Sequence, residues 1–599
     1  GRLIKPIGEE ERSDFRDTFP GYLEDHFDLT MSTMFRFPLR NKKMPTTSLI
    51  SKEHVSHAQM TKFMDLFAFE AKEILLFLNH LKKITLSKIE DDHLRQICSV
   101  SGELSGEDAL LRGQLSDYIK SSKKMTTNEI QWFGVTYPVL IQDTHTEENW
   151  LVHQGIGLKP CDATDEVPNG QPFGLLPRVG VAARISHTRA RTTEIYKAFC
   201  FLPLPLKTGL PVHVNGHFCL DSARRNLWCD EKDEGFGSQW NNFMKKKILP
   251  EAYVSLLLEA RGFVPGSEIE TPFFKTYQIH EGLRWYQGLF PHFASVDSQW
   301  AILASSLFGR ICHHDTQLLP LVKRATTDNV PGPNRGQSDS KEPIRCFWLS
   351  PSQGFFNTMK MCSESDQKRC NILLQIGFNL LYCNKKLFDD FKKADTNVRE
   401  ITPEAVITFL REGATNIGTL PCSVKETAIG SVVGVLDMLC YCMKSTNFAE
   451  VMSGLPLLLT EDGVLRCFQE TEPVFLSRFY DLVPHKSSLF IHHAISEPLF
   501  LVEEKIFATS QQLLKKFDIP ALASLLSEPK HESWYETSSL IPWNKSKWPS
   551  QIWLQLLWKF IFHIYRKDPD KFSLNPLDQW PVVPTLSGML SPVSKGKVI

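Results

Sequence analysis

The sequence predicts an α+β protein, with an α/β N-terminal half followed by a mainly helical C-terminal half that carries short β-hairpins. Three observations carry this. Strand-like alternation, broken by Gly and Pro, fills 130–220. Beyond residue 265 the apolar residues recur at the three-four spacing of helices. Two late segments, Leu455–Leu465 and Trp580–Leu590, follow one recipe at an offset of 125 residues: a short apolar strand, a Gly turn and a second strand.

The elements follow in order. Residues 1–30 are polar, and Thr33–Asn41 alternates as a strand. Met60, Phe63, Met64, Phe67, Ala71, Ile74, Leu75 and Leu78 mark one buried face of a helix. After Lys82-Lys83 the period drops to two across Ile84–Ser87, so strand, helix and strand make an α/β layer. Residues 88–130, charged and Ser-rich, read as a helix with flexible flanks. Strand-like runs follow at 130–142, 150–154, 179–186, 196–203 and 211–220. The loop 155–178 is long for a compact domain and reads as a functional or mobile insertion. Ser238 caps a helix bearing Trp240, Phe243, Met244 and Ile248, which Pro250 bends or restarts before Tyr253–Leu258. Thr326–Pro343 has almost nothing to bury and reads as a flexible linker. Thr402-Pro403-Glu404 starts one helix, and Val432, Val433, Leu436, Leu439, Cys440 and Met443 stripe another.

Bulk properties exclude several classes. At 599 residues the chain is too long for one core and should divide into roughly three to five domains. Lys plus Arg (67) and Asp plus Glu (68) nearly cancel, so no global field draws in nucleic acid or anionic membrane. The cysteines contain no C-x-x-C pair; the closest spacing, Cys440-Tyr441-Cys442, lies in an apolar helical pattern. Such thiols read as reduced core residues of a cytoplasmic protein. The chain opens without a signal peptide or a Met, as expected of a piece of something longer. The apolar run Ile552–Ile564 is too short to span a bilayer and carries Gln555, Lys559 and His563, so no membrane insertion is expected. Its stripe of Ile552, Trp553, Leu556, Leu557, Phe560, Ile561 and Ile564 reads as core, with a partner groove as the alternative.

The candidate site lies in Leu202–Trp228, LPLPLKTGLPVHVNGHFCLDSARRNLW. Val212, Val214, Gly216, Phe218 and Leu220 share one face of a half-buried strand; His213, Asn215, His217 and Cys219 share the other. The strand delivers Asp221, Ser222, Arg224, Arg225 and Asn226 to its end. Arg224 and Arg225 either grip an anion such as phosphate or form a structural ion pair with Asp221. His213 and His217 should stand about 13 Å apart on a strand, too far to share a metal ion. His313-His314 and His492-His493 lack a Cys or carboxylate at ligand spacing, so no metal site is expected. Ser222 lies in no nucleophile elbow, and neither common Gly-rich phosphate loop occurs.

The wording TGLPVHVNGHFCLDSARRNLW resembles the sacsin-repeat family. TMFRFPLRN (Thr33–Asn41), FLNHLKKI (Phe77–Ile84), QIGFNLLY (Gln375–Tyr382), ITPEAVITFL (Ile401–Leu410), IGTLPC (Ile417–Cys422) and GLPLLLTEDGVL (Gly454–Leu465) agree in the same order, so the resemblance covers most of the chain. Cys219 stands where the family carries Ala. The resemblance implies a region similar to the nucleotide-binding domain of the ninety-kilodalton heat-shock chaperones, then a middle-like region and a helical part. The superfamily's ATP-binding elements (a helix with Glu and Asn, an Asp-x-Gly turn, a Gly-rich lid) are missing here, so no cofactor is expected, ATP belonging to an intact repeat. By resemblance Thr33 is the Thr that points towards nucleotide, and Arg224 or Arg225 reaches the γ-phosphate side; no catalytic residue is expected. The divisions implied are 1–56 as a residual edge of the nucleotide-binding-like domain, 57–265 as the middle-like domain, and 266–325 as a helical segment. The linker 326–343 follows, then helical units 344–470 and 471–599, each ending in a hairpin. The function implied is non-enzymatic: a chaperone or co-chaperone module for client proteins, cytoskeletal filament proteins among them. The seventy-kilodalton heat-shock chaperone would be its partner through the parent protein. The rivals are an ATPase half-site completed by an upstream domain, and a nucleic-acid enzyme of the wider superfamily, which the near-zero charge disfavours.

Overall fold

The period-two runs of the N-terminal half pair into one eight-stranded sheet. The computed structural model describes residues 33, 35, 39–40, 53–90, 93–160, 167–185, 195–229, 235–266, 279–324, 344–357, 364–509, 512–526, 534 and 536–595. The chain divides into two compact units: Gly1–Leu318 with Pro343–Ser350 and Asp389–Asn397, and Leu319–Glu342 with Pro351–Phe388 and Val398–Ile599. It is α+β, with the large sheet in the N-terminal half and helices joined by short ribbons beyond it.

In the first unit, α1 (His57–Ile74) starts at Ser56, whose hydroxyl accepts the Gln59 N–H while the Gln59 side-chain Oε1 accepts the Ser56 N–H. Of the eight positions expected on its buried face, only Ala71, Ile74 and Leu75 are fully buried, because only the last turns of α1 reach the sheet. The rest of the helix stands proud, with Phe63 exposed. β1 (Lys83–Glu90) and β2 (His93–Glu103) form a ribbon, and β3 (Phe133–Gln142), β4 (Glu147–Ile156) and β5 (Arg178–Ile185) continue it antiparallel. All four neighbouring pairs run antiparallel, with two-residue and four-residue links after β1 and β3 and longer ones after β2 and β4, so this layer is an antiparallel sheet and not a strand–helix–strand unit. Thr33, Phe35, Leu39 and Arg40 lie in no strand, and the rest of the strand expected there is outside the described residues. The helix expected across 88–130 is instead β2 followed by α2 (Gly106–Ser122). β2 misled because it is a ribbon near the sheet's edge, with Leu94 and Ile97 exposed and Val100 alone fully buried, so its composition is that of a surface.

The sheet closes with β6 (Lys197–Cys200), β7 (Leu202–Lys207) and β8 (His213–Gly216), in the order β1-β2-β3-β4-β5-β8-β6-β7. β8 runs antiparallel to β5 and parallel to β6. Residues of α1 and α2 bury one face against Tyr137, Val152, Ala182 and Phe199. α3 (Phe236–Phe243) starts after Gly235 with Ser238 buried inside it, so Ser238 is not its cap. A π-turn at Met244–Ile248 leads into α4 (Leu249–Ala260), accommodating Pro250 without breaking the rod. α4 packs on β4 and β5, where Leu151, Val179, Val181 and Ala183, of opposite parity to Val152 and Ala182, are all buried.

The second unit holds the repeat. The strands Leu458–Leu459 and Val464–Arg466 pair as a hairpin, as do Pro581–Pro584 and Met589–Pro592. In each turn one Thr hydroxyl bonds the carbonyl four residues on: Thr460 to Val464 (3.0 Å) and Thr585 to Met589 (3.0 Å). Gly463 (φ 80°) and Gly588 (φ 72°) take the left-handed conformation that closes each turn. Each hairpin gains a third strand from upstream, Cys422–Ser423 and Ile541–Pro542 respectively, paired to the hairpin's second strand. A Ser-capped helix lies between in both cases, Val432–Cys442 after Ser431 and Gln551–Lys567 after Ser550. In the latter Trp553, Leu557, Phe560 and Ile561 are core, whereas Ile552 is exposed. Two apolar clusters result, and the strand Val474–Leu476 serves both: Val474 and Leu476 belong to the first, and Phe475 packs against the second. The linker expected at 326–343 lies outside the described residues. Among the described residues no helix is long and apolar enough to cross a membrane.

Gly209 ties the first unit's loops together at φ 67°, where a Cβ would overlap the Ser295 carbonyl oxygen. Gly209→Ala should therefore cost at least about 2 kcal/mol. A urea midpoint unchanged by the substitution would contradict this close approach.

Candidate functional site

The strand that carries the site is buried on both faces. Val212 and Val214 are buried on one side, His213 and Asn215 on the other, so the half-buried reading is corrected. The cause is position: β8 lies inside the sheet between β5 and β6, and its polar face meets protein where alternation suggested water. His213 sits among the rings of Trp150, Tyr196 and Phe199, with centroids 5.1–5.3 Å away. Its Nδ1 accepts the Lys197 N–H (3.0 Å), and burial, helped by the Lys197 charge, pulls its pKa down to about 3. His217 is held separately, its Nδ1 accepting the Leu176 N–H (3.1 Å); burial and the Arg178 charge pull it to about 4.

Regular pairing ends at Gly216, four residues short of the expected strand. A tight hairpin follows, with Leu220 bridged to Leu227. The Asp221 N–H donates to Asn226 O (3.0 Å) and the Arg224 N–H to Asp221 O (2.9 Å). The Asp221 carboxylate accepts the Arg225 N–H (2.8 Å) and the Asn226 side-chain amide (3.1 Å). Those donors, the Arg225 amide foremost, hold its pKa below the usual range. Asp221 is thus engaged in shaping the turn, with both arginines exposed and Arg224 in the left-handed region at φ 54°. Asn241 of α3 clamps the base: its Oδ1 accepts the Cys219 N–H (2.9 Å), and its Nδ2 donates to Cys219 O (2.8 Å) and Trp228 O (3.1 Å). Trp240 Nε1 donates to His217 O (2.8 Å). The hairpin is a fixed pedestal for two guanidinium groups. Thr33 is exposed.

Beside the pedestal lies a polar group that spacing did not mark. Arg178, the first residue of β5, donates from Nη2 to Gln154 Oε1 (3.2 Å), and its guanidinium lies 5.1 Å from the centre of the Phe201 ring. Gln154 Nε2 donates to the Tyr137 hydroxyl (2.8 Å) and to Asn79 Oδ1 (3.1 Å), and Arg112 Nη2 donates to Asn79 O (2.9 Å). Among the described residues, Arg178 Nε and Asn215 Nδ2 are buried without an acceptor. The only signal in the sequence was a lone Arg leading an apolar strand.

A second group corrects the reading of His492-His493. The fold brings Glu461, 32 positions from His493, to its ring: Glu461 Oε1 lies 2.8 Å from His493 Nδ1, and Oε2 accepts the His493 N–H (2.8 Å). One donor atom from each of Glu461, His492 and His493 fits within 4.8 Å, so these three could hold a metal ion. In the structure His492 Nδ1 accepts the Ala494 N–H (3.2 Å), and all three residues serve as the cap of the helix His493–Phe500.

A family model described as the Sacsin domain matches residues 6–99. The human protein named Sacsin is 31% identical over 657 aligned positions, covering 100% of this chain. This chain is a sacsin-type repeat region. It spans 14% of the length of that relative. No solved structure matches this repeat.

Two expectations follow for the repeat. Asn241→Ala leaves buried backbone groups of the pedestal without partners and should cost roughly 2–4 kcal/mol. Faster amide exchange at Cys219 and Trp228 would report it; unchanged protection would contradict the clamp. Burial holds His153 and His213 neutral, with folded values of about 3 against an ordinary 6.5. The unfolded chain then binds more protons between those values, so stability falls as pH drops from 6.5 towards 3. Each histidine should remove on the order of 2 kcal/mol between about pH 7 and pH 5. A denaturation midpoint that is flat over that interval would overturn this.

Proposed function

We propose that this repeat is a chaperone or co-chaperone module for protein folding and quality control, holding client proteins without catalysing a reaction. The observation that supports the reading is the apolar ridge of α1, where Phe63, Leu66 and Phe69 are 59%, 57% and 75% exposed. The Phe63 ring stacks on Phe67 with centroids 6.3 Å apart, which stiffens the ridge. Each such side chain gains about 1.5–3 kcal/mol when an apolar partner covers it. A non-native chain offers that chemistry. The clients are cytoskeletal filament proteins, and the seventy-kilodalton heat-shock chaperone is engaged through the parent protein, in the cytoplasm. Nucleic acid and membrane play no part. The test is suppression of aggregation of a chemically denatured enzyme. The triple change Phe63→Ser, Leu66→Ser and Phe69→Ser should weaken protection at least about fivefold while the melting curve stays in place. Absence of protection by the unaltered chain ends the reading.

A second reading, favoured by the exposed arginines on their clamped hairpin, is an ATPase half-site that acts on nucleotide held by an upstream heat-shock-protein-90-like domain. ATP belongs to the intact repeat, with Thr33, Arg224 and Arg225 on its phosphate side. In a longer chain carrying that domain, Arg224→Ala with Arg225→Ala should lower hydrolysis at least about tenfold. An unchanged rate removes this reading, as does tight ATP binding by residues 1–599 alone.

A further inference from the structure

The helix Gln551–Lys567 has a second face besides the one that Trp553, Leu557, Phe560 and Ile561 turn to the core. Leu554, Trp558 and Phe562, spaced four apart and so aligned along the helix, line a groove of about 830 Å³. Trp543, the residue after the strand Ile541–Pro542, lines it too. Both indoles are fixed in place by their N–H groups, Trp558 Nε1 donating to Val582 O (3.2 Å) and Trp543 Nε1 to Pro549 O (2.8 Å). Phe562 is 58% exposed. Lys545 and Lys559 also line the groove, and among the described residues its lining holds no carboxylate. Lys545 Nζ lies 5.6 Å from the centre of the Trp543 ring. Rigid aromatic walls beside positive charge have the composition of a binding hot spot, and they select a partner that brings rings and carboxylates together.

One stretch of this sequence carries both. Residues 9–28, EEERSDFRDTFPGYLEDHFD, which lie outside the described residues, hold eight carboxylates against two arginines, with Phe15, Phe19, Tyr22 and Phe27 interspersed. We propose that the groove is a self-association site whose occupant is residues 9–28 of a second copy of the chain. Aromatic side chains of that stretch pack against Trp543, Trp558 and Phe562, and its carboxylates meet Lys545 and Lys559. The contact is heterologous: a copy that lends its acidic stretch keeps its own groove open, so copies join head to tail. The site uses neither α1 nor the arginine hairpin, so it stands independently of both functional readings.

The experiment uses the full 599-residue chain and a dye-labelled peptide of residues 9–28. Peptide binding is followed by fluorescence anisotropy, and sedimentation velocity follows the chain alone as its concentration rises. The peptide should bind saturably, added salt should weaken it severalfold, and the chain should grow past dimers that excess peptide takes apart. Lys545 and Lys559 are exposed, so the double change Lys545→Glu with Lys559→Glu should weaken peptide binding at least about tenfold while the melting temperature stays in place. A peptide in which Glu9, Glu10, Glu11 and Asp14 are each replaced by Lys should bind the double variant better than the natural peptide does, a rescue that a merely structural role for the lysines would not give. Three results would each overturn the proposal: no peptide binding, equal affinity of the natural peptide for the unaltered chain and the double variant, or a chain that stays monomeric about tenfold above the peptide's Kd.

Discussion

The constraint on which the first unit rests is the two-sided burial of β8. No water reaches His213 or Asn215, so each polar atom on that strand needs a partner from the fold. His213 takes the Lys197 amide and Asn215 takes the Phe201 amide, so both side chains hold β6 and the turn after it. That turn needs the help, because Phe201 occupies the left-handed region at φ 63°. The hairpin bearing Arg224 and Arg225 grows directly from this strand, and Asn241 fastens its base from the helical side. Rigidity at the tip is thus inherited from packing several residues away.

Much of this was legible, and the failures have a common cause. Alternation assigned the parity of β8 correctly, placing Val212 and Val214 opposite His213 and Asn215. It missed the burial of the polar face because a hydrogen-bonded interior and a wet surface select the same residue types. β2 failed in the mirror sense: a ribbon near the sheet's edge keeps its apolar side chains in solvent, so its composition resembles a loop. For α1 the spacing identified the helix and overstated its burial, since only Ala71 and its neighbours reach the sheet. Glu461 reaches His493 through a hairpin, and no local pattern announces a meeting across 32 positions. The paired hairpins were visible for the opposite reason. A left-handed Gly and a Thr that bonds the carbonyl four residues on are demands of the turn itself, and they write themselves into the sequence twice.

The surfaces of the first unit divide by chemistry. α1 carries large apolar side chains into solvent, and the hairpin after β8 carries two exposed arginines around Asp221, whose carboxylate accepts the Arg225 N–H and the Asn226 amide. Other carboxylates of this unit pair with Lys72, Lys197 and Arg310.

In the second unit, Val474 and Leu476 plug one oily cluster while Phe475, between them, leans on the other. A strand used this way is a party wall. Truncating Phe475 would hollow out one room and leave the other furnished, yet removing the wall would open both. The two clusters are therefore neither one cooperative block nor two free ones, and this strand is one of the places where they meet, as is the step from Phe490 to Ile491.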